Sequence, residues 1–223
     1  MIKAVTVFKR RPGLSVEDFR LHWRTTHAEV VTKLPGLRRY VQNPAHDSGY
    51  ARGREADFDG IAETWFDDTD AMRAVAASEQ YAAVQADEPN FIEVAGMAMV
   101  LCDEVPIVDG PRAPLKFVAF VRRKPGMDVA DFQQYWRTVH GPIAAENPYI
   151  RRYVQHHVRP RAYETGRAPA YDGAAMTWFD SFDDMRASAG TPALAATVAD
   201  QAAFLDVDGR LPFVVVTELE VLT

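Results

Sequence analysis

Two histidines and two tyrosines are the residues of this chain best suited to proton chemistry. His27 closes "WRTTH" and is followed by Tyr40 in "RRYVQ"; His140 closes "WRTVH" and is followed, at the same interval, by Tyr153 in a second "RRYVQ". An imidazole with an ordinary pKa near 6.5 serves as base or acid close to neutrality, and a phenol polarises a carbonyl. Such a pair suits enolisation, dehydration or ring closure, with about 10²–10⁴-fold expected from general acid–base catalysis. It does not perform redox chemistry unaided. A quieter reading stands beside this one: an inward imidazole can simply bond a backbone carbonyl, and a core tyrosine can simply have its hydroxyl satisfied.

Trp23 and Trp136 stand four residues before each histidine, on the same helix face. Strand alternation puts Arg38, Tyr40 and Gln42 on one face, against Arg39 and Val41; Arg151, Tyr153 and Gln155 repeat that face in the second set. With His156, these give the candidate ligand contacts: Trp136, Trp23, Gln155, Gln42, His156, Arg151 and Arg38. The aromatics, Trp65 and Phe66 among them, suit a flat apolar ligand and suit core packing as well. Asp59 and Asp172 each precede a glycine at a strand start, where an Asx turn is the ordinary explanation. Glu63 answers Met176, His22 answers Tyr135 and Asn43 answers His156, so these positions would make two pockets differ. His156 and His157 are adjacent on a strand and point to opposite faces, which prevents them from clasping one ion. No other spacing completes a metal site. There is no Gly-rich phosphate loop and no Gly-x-Ser-x-Gly elbow, and Cys102 lies in an apolar strand as an inert residue. No metal and no cofactor is expected.

The elements that must position these groups are written twice. "RRPGLSVEDFRLHWRTTH" from Arg10 answers "RKPGMDVADFQQYWRTVH" from Arg123 at a constant offset of 113. The register holds through "RRYVQ", "DG" and "TWFD", and Asp87 and Phe91 answer Asp200 and Phe204. The chain is a tandem duplication. Within one copy, "IKAVTVF" reads as a strand ended by Pro12-Gly13. Ser15 with Asp18, and Asp128 with Asp131, resemble capping boxes that open a helix. The helix buries Val16, Phe19, Trp23 and His27, and in the second copy Gly141-Pro142 is expected to stop it. "LRRYVQ" and "GIAETWF" are strands, an alanine-rich helical segment follows, and "MAMVLC" or "FVVVT" closes the unit. The order β-α-β-β-α-β is the ferredoxin-like split unit.

Both faces of the first strand are apolar: Ala4, Thr6 and Phe8 oppose Val5 and Val7, and Phe117, Ala119 and Val121 oppose Val118 and Phe120. Helices cover one face of such a sheet, so the other must be buried too. The expected class is α+β: two ferredoxin-like halves packed sheet to sheet as a pseudo-dimeric α+β barrel. The expected division is 1–105, a Pro- and Gly-marked linker at 106–114, and 115–223.

"KRRPGLSVEDFRLHWRTTHAEVVTKLPGLRRYVQN", with "DGIAETWFD" and "EPNFIE", resembles the EthD family of dimeric α+β barrel proteins over most of both copies. The resemblance implies a fold that usually dimerises, here with both halves supplied by one chain and a further homodimer possible. It also implies degradation of organic compounds or polyketide tailoring by dehydratase-, cyclase-, isomerase- or decarboxylase-like steps. The family's His-x-Pro pattern is matched only by His140-Gly141-Pro142, which favours His140 if one site works alone. The alternative is a non-catalytic binding protein for a small hydrophobic metabolite, or haem by analogy with other α+β barrels.

Bulk properties narrow the partners. The net charge is −6 over 223 residues, without the basic footprint of a nucleic-acid binder. The triplets Lys9-Arg10-Arg11 and Arg122-Arg123-Lys124 adjoin Pro-Gly turns and read as solvated loops. No apolar run reaches the roughly 18 residues of a membrane span, and "MIKAVTVF" is too short for a signal peptide. A single cysteine forms no internal disulfide and fits a reducing compartment. A cytoplasmic protein binding a small hydrophobic or aromatic molecule is expected, with neither nucleic acid nor membrane as partner.

Overall fold

The computed structural model describes residues 1–164, 168–209 and 211–223, which divide into two compact units, Met1–Leu101 with Thr217–Thr223 and Cys102–Val216. In the first, β1 (Ile2–Phe8) leads to α1 (Val16–His22), a π-helical turn (Trp23–His27) and α2 (Ala28–Val31). Then come β2 (Leu37–Pro44), β3 (Gly60–Phe66), α3 (Thr69–Ala76), α4 (Glu79–Phe91) and the start of β4 (Ala98–Val108). The second unit repeats this with β5 (Leu115–Val121), α5 (Val129–Tyr135), a π-helical turn (Trp136–His140), α6 (Gly141–Ala145) and β6 (Arg152–Val158). β7 (Gly173–Phe179), α7 (Phe182–Ser188), α8 (Pro192–Phe204) and β8 (Phe213–Thr217) complete it, and β9 (Leu219–Leu222) returns to the first unit beside β2.

Strand order is β4-β1-β3-β2-β9 in the first unit and β8-β5-β7-β6-β4 in the second. The first four of each, β4-β1-β3-β2 and β8-β5-β7-β6, give the ferredoxin-like pattern, so the α+β class and the duplication are as the sequence indicates. β1 pairs antiparallel with β3, Ile2 opposite Phe66 and Phe8 opposite Gly60, and β5 repeats this with β7. The stretch expected as a linker begins as strand: β4 runs on to Val108, pairing with β6 across an irregularity between Pro106 and Val108.

The core is built on one recurring cluster. Phe8, Phe19, Trp23, Phe91 and Ile92 pack together in the first unit, and Val121, Phe132, Trp136, Phe204 and Leu205 in the second. Each such side chain, fully buried, contributes on the order of 1.5–3 kcal/mol. The repeated "DG" follows from this packing. A Cβ on Gly60 would stand 2.7 Å from the Trp23 ring and 2.6 Å from Phe8, and one on Gly173 2.5 Å from Trp136. Only glycine lets the indole lie against the strand. Asp59 and Asp172 are structural beside it: each accepts from the backbone N–H and guanidinium of Arg10 or Arg123, and from the hydroxyl of Tyr50 or Tyr163.

Three local expectations are corrected. Gly141-Pro142 does not stop the helix, which continues through Ala145. The π turn inserts one residue, the Gly141 N–H reaches back to the Trp136 carbonyl, and the widened turn accommodates Pro142 within the continuing helix. Asp128 makes no side-chain capping bond, whereas Ser15 accepts from the Asp18 N–H. The alanine-rich segment is two helices, not one, because Ser78 and Thr191 cap new starts by accepting from Tyr81 and Leu194.

Candidate functional site

Each unit has a cavity between its sheet and its helices, of about 260 Å³ in the first and about 380 Å³ in the second. His27 and Tyr40 line the former; His140, Tyr153 and Trp136 line the latter. The floors come from the strand face read in the sequence, Ala4, Thr6 and Phe8 in one and Phe117, Ala119 and Val121 in the other.

The π turns set the site. Widening the helix at "WRTTH" and "WRTVH" frees the tryptophan carbonyl from the α pattern, and the Gln42 or Gln155 side-chain amide donates to it at 2.8 Å in both units. The Thr25 and Thr138 hydroxyls bond the carbonyl four residues back, which further satisfies the distorted turn. The same glutamine amide donates to the tyrosine oxygen, at 2.9 Å to Tyr40 and 3.2 Å to Tyr153. The indole N–H of Trp23 or Trp136 donates to that oxygen as well, at 2.9 and 3.1 Å. Two donors therefore occupy the lone pairs of each phenol, and its own O–H has no acceptor among the described residues. Burial pushes the Tyr153 phenol up to about 12 and Tyr40 upward too, against the pull of the amide and indole donors. Both are neutral hydrogen-bond donors near neutral pH.

The histidines are held by carboxylates. Nδ1 of His27 lies 2.9 Å from Asp87, and Nδ1 of His140 lies 2.8 Å from Asp200. An ionised carboxylate only accepts, so Nδ1 carries the proton and Nε2 the lone pair, which has no partner among the described residues. Burial lowers both imidazoles from their ordinary value, with the carboxylate pulling the other way, so they are neutral at neutral pH. Each ring tilts over a phenylalanine, Phe91 or Phe204, at 4.6 Å between centroids. The other carboxylate oxygen binds His22 in the first unit and the Tyr135 hydroxyl in the second.

The remaining expected contacts lie elsewhere. Gln42 and Gln155 sit beneath the tyrosines and, like Trp23, do not line the cavities; they hold the tyrosine oxygens in place. Arg38 and Arg151 are exposed and pair with Asp67 and Asp180. They leave the tyrosine face because the ladder slips between Leu37 and Arg39, and β6 starts only at Arg152. His156 is fully buried against the Ala174 carbonyl and Glu104. Its neighbour His157 is the one that stacks on Trp136, at 4.8 Å, and bonds Gln155.

Asp87 and Asp200 are the candidate-site residues that side-chain chemistry alone had not singled out. Their signal was in the repeat: each stands one helical turn before Phe91 or Phe204, on the face that meets the imidazole.

The EthD domain family matches residues 11–95 and 124–208. Among solved structures, an anthrone oxidase-like protein has 12% identity and a TM-score of 0.68, over 99% of this chain and 93% of its own. A variant chlorite dismutase from Candidatus Nitrospira defluvii has 10% identity and a TM-score of 0.56, over 99% and 91%. At such identities the likeness is one of fold. An EthD family protein from Bacillus halodurans has 22% identity and a TM-score of 0.38, over 47% of this chain and 99% of its own. No curated protein matches significantly. No described helix is long and apolar enough to cross a membrane.

Proposed function

The chain belongs to the EthD domain family, and we propose that each half is a proton-transfer site for a small aromatic or carbonyl compound. The observation that carries this is the pair of cavity-lining groups in complementary states: a neutral imidazole with a free Nε2, and a neutral phenol with a free O–H. In this reading Nε2 of His27 or His140 removes a proton from the carbon beside a carbonyl. Asp87 or Asp200 stabilises the imidazolium that forms, while Tyr40 or Tyr153 donates to the developing enolate oxygen. The same proton returned to carbon, or lost with a leaving group, gives isomerase- or dehydratase-like outcomes. A ketone with an acidified C–H is the class that the name of the anthrone oxidase-like neighbour brings to mind.

The lining favours an organic ligand over haem, since among the described residues neither cavity wall includes an arginine or lysine to pair with propionates. Two such sites in one chain would replace the homodimer of single-domain members, and the buried lone thiol of Cys102 suits the reducing cytoplasm.

The test is solvent-deuterium incorporation at the methylene of anthrone, followed by NMR. Wild type should accelerate exchange about 10²-fold or more, and the His27→Ala/His140→Ala double variant should not, with its circular dichroism unchanged. Because burial lowers both imidazoles, the rate should climb with pH and level off already below 6.5. Full activity in the double variant would sink the reading. A wild type that binds the ketone and returns it without exchange is a carrier.

A further inference from the structure

The two cavities share their catalytic set and differ on the wall that faces it. Helix α4 presents Tyr81, Val84, Glu88 and Phe91 to the first cavity, at helical spacing along one face. The corresponding face of α8 presents Leu194, Thr197, Gln201 and Phe204 to the second. Glu88 and Gln201 occupy the same place and nearly the same volume, yet one is an acid and the other its neutral amide.

Glu88 has no hydrogen-bonding or ionic partner for its carboxyl group among the described residues, and no arginine or lysine lines its cavity. Burial and the adjacent Asp87 raise its pKa, which says that nothing nearby compensates its charge. The rest of that wall is aromatic and aliphatic. Leu34 and Val75 stand where the second cavity has Asn147 and Ser188. A half-buried carboxylate among aromatic faces, without a cation, favours a positively charged ligand, through the ion pair and through ring quadrupoles. The neutral imidazole of His27 does not oppose it. The second cavity is larger, and its neutral donors and acceptors suit an uncharged, hydroxylated or keto ligand.

We propose that the two halves take different ligands: the first cavity a flat aromatic molecule bearing a protonated amine, paired with Glu88, and the second a neutral polar one. The inference rests on the reading of both cavities as small-molecule sites, but it concerns affinity, not turnover. Loss of exchange chemistry would overturn the proton-transfer reading and leave this one standing.

The experiment uses the full chain and two fluorescent probes of similar shape, cationic 9-aminoacridine and neutral acridine, titrated above neutral pH. Wild type should bind the cation more tightly than the neutral probe. In E88Q the cation should weaken by roughly tenfold, the scale of one partly buried ion pair, with acridine unchanged. Q201E should gain a second class of cation site. A cation-to-neutral affinity ratio unmoved by E88Q, no binding of the cation by wild type, or no gain in Q201E overturns the proposal.

Discussion

In both halves a π turn delivers a histidine to an aspartate, and a glutamine and an indole clamp a tyrosine, with hydrogen-bond lengths that agree within 0.3 Å. Around that shared set the halves part company. On the underside of the first sheet, Lys3 pairs with Glu63 at 2.5 Å, both almost fully buried, and Asn43 donates to the same carboxylate. In the second, Met176 replaces Glu63 and His156 replaces Asn43, while Lys116 keeps the place over Trp178 that Lys3 has over Trp65, at 4.9 and 4.4 Å. Duplication thus supplies an internal control. Geometry retained in two different surroundings belongs to the site, and what varies belongs to local packing or to ligand choice.

The comparison breaks most sharply at Glu63. Glu63→Met, which copies the second half into the first, should destabilise the protein by about 3–5 kcal/mol in urea unfolding, because it removes the carboxylate that the buried Lys3 ammonium and the Asn43 amide share. A loss below about 1 kcal/mol would mean that the first half already tolerates the second half's solution.

Acid should then separate the halves. His157, which has Pro44 as its counterpart, is lowered to about 4, first by burial and then by Arg137 and His156. A buried neutral histidine binds its proton more readily unfolded, so stability is full above 6.5 and falls as the pH drops from 6.5 towards 4. The loss from this group should reach ~3 kcal/mol at most, and be confined to the second unit. Hydrogen exchange resolved by residue should show the second unit opening first. His157→Asn should remove the difference.

The smallest effect lies at the helix starts. Ser15→Ala should cost about 1 kcal/mol through its lost cap, whereas Asp128→Ala should cost a few tenths, since Asp128 makes no capping bond. Equal melting shifts for the two would show that the caps are interchangeable.

The fold was legible because its signals are redundant. Period-two strands, a capped helix and a repeated register all pointed to one unit, and a shared error in both copies would have been needed to mislead. The site was legible only in its chemistry-bearing residue types. His27, His140, Tyr40 and Tyr153 line the cavities, but Arg38 and Arg151 were misplaced because alternation assumes an unbroken ladder, and a slip at Arg38 turns it outward. The π turn was hidden for a related reason. "WRTVHGP" contains a strong stop signal by backbone rules, and nothing in the residue types says that an inserted residue will let the helix absorb a proline. The aspartates escaped because a carboxylate on a helix face usually meets water, and only the histidine it bonds on a neighbouring helical turn distinguishes it.

The strand β4 divides its residues between the two compact units, and β9 comes from the far end of the chain to flank β2. The gene's repeat and the folding unit are therefore different objects. A fragment cut at the repeat boundary would carry one whole candidate site and still lack the strand that flanks β2, leaving an open edge that invites strand pairing with other molecules. A shortened single-site version would need the last seven residues grafted back by a circular rearrangement of the chain.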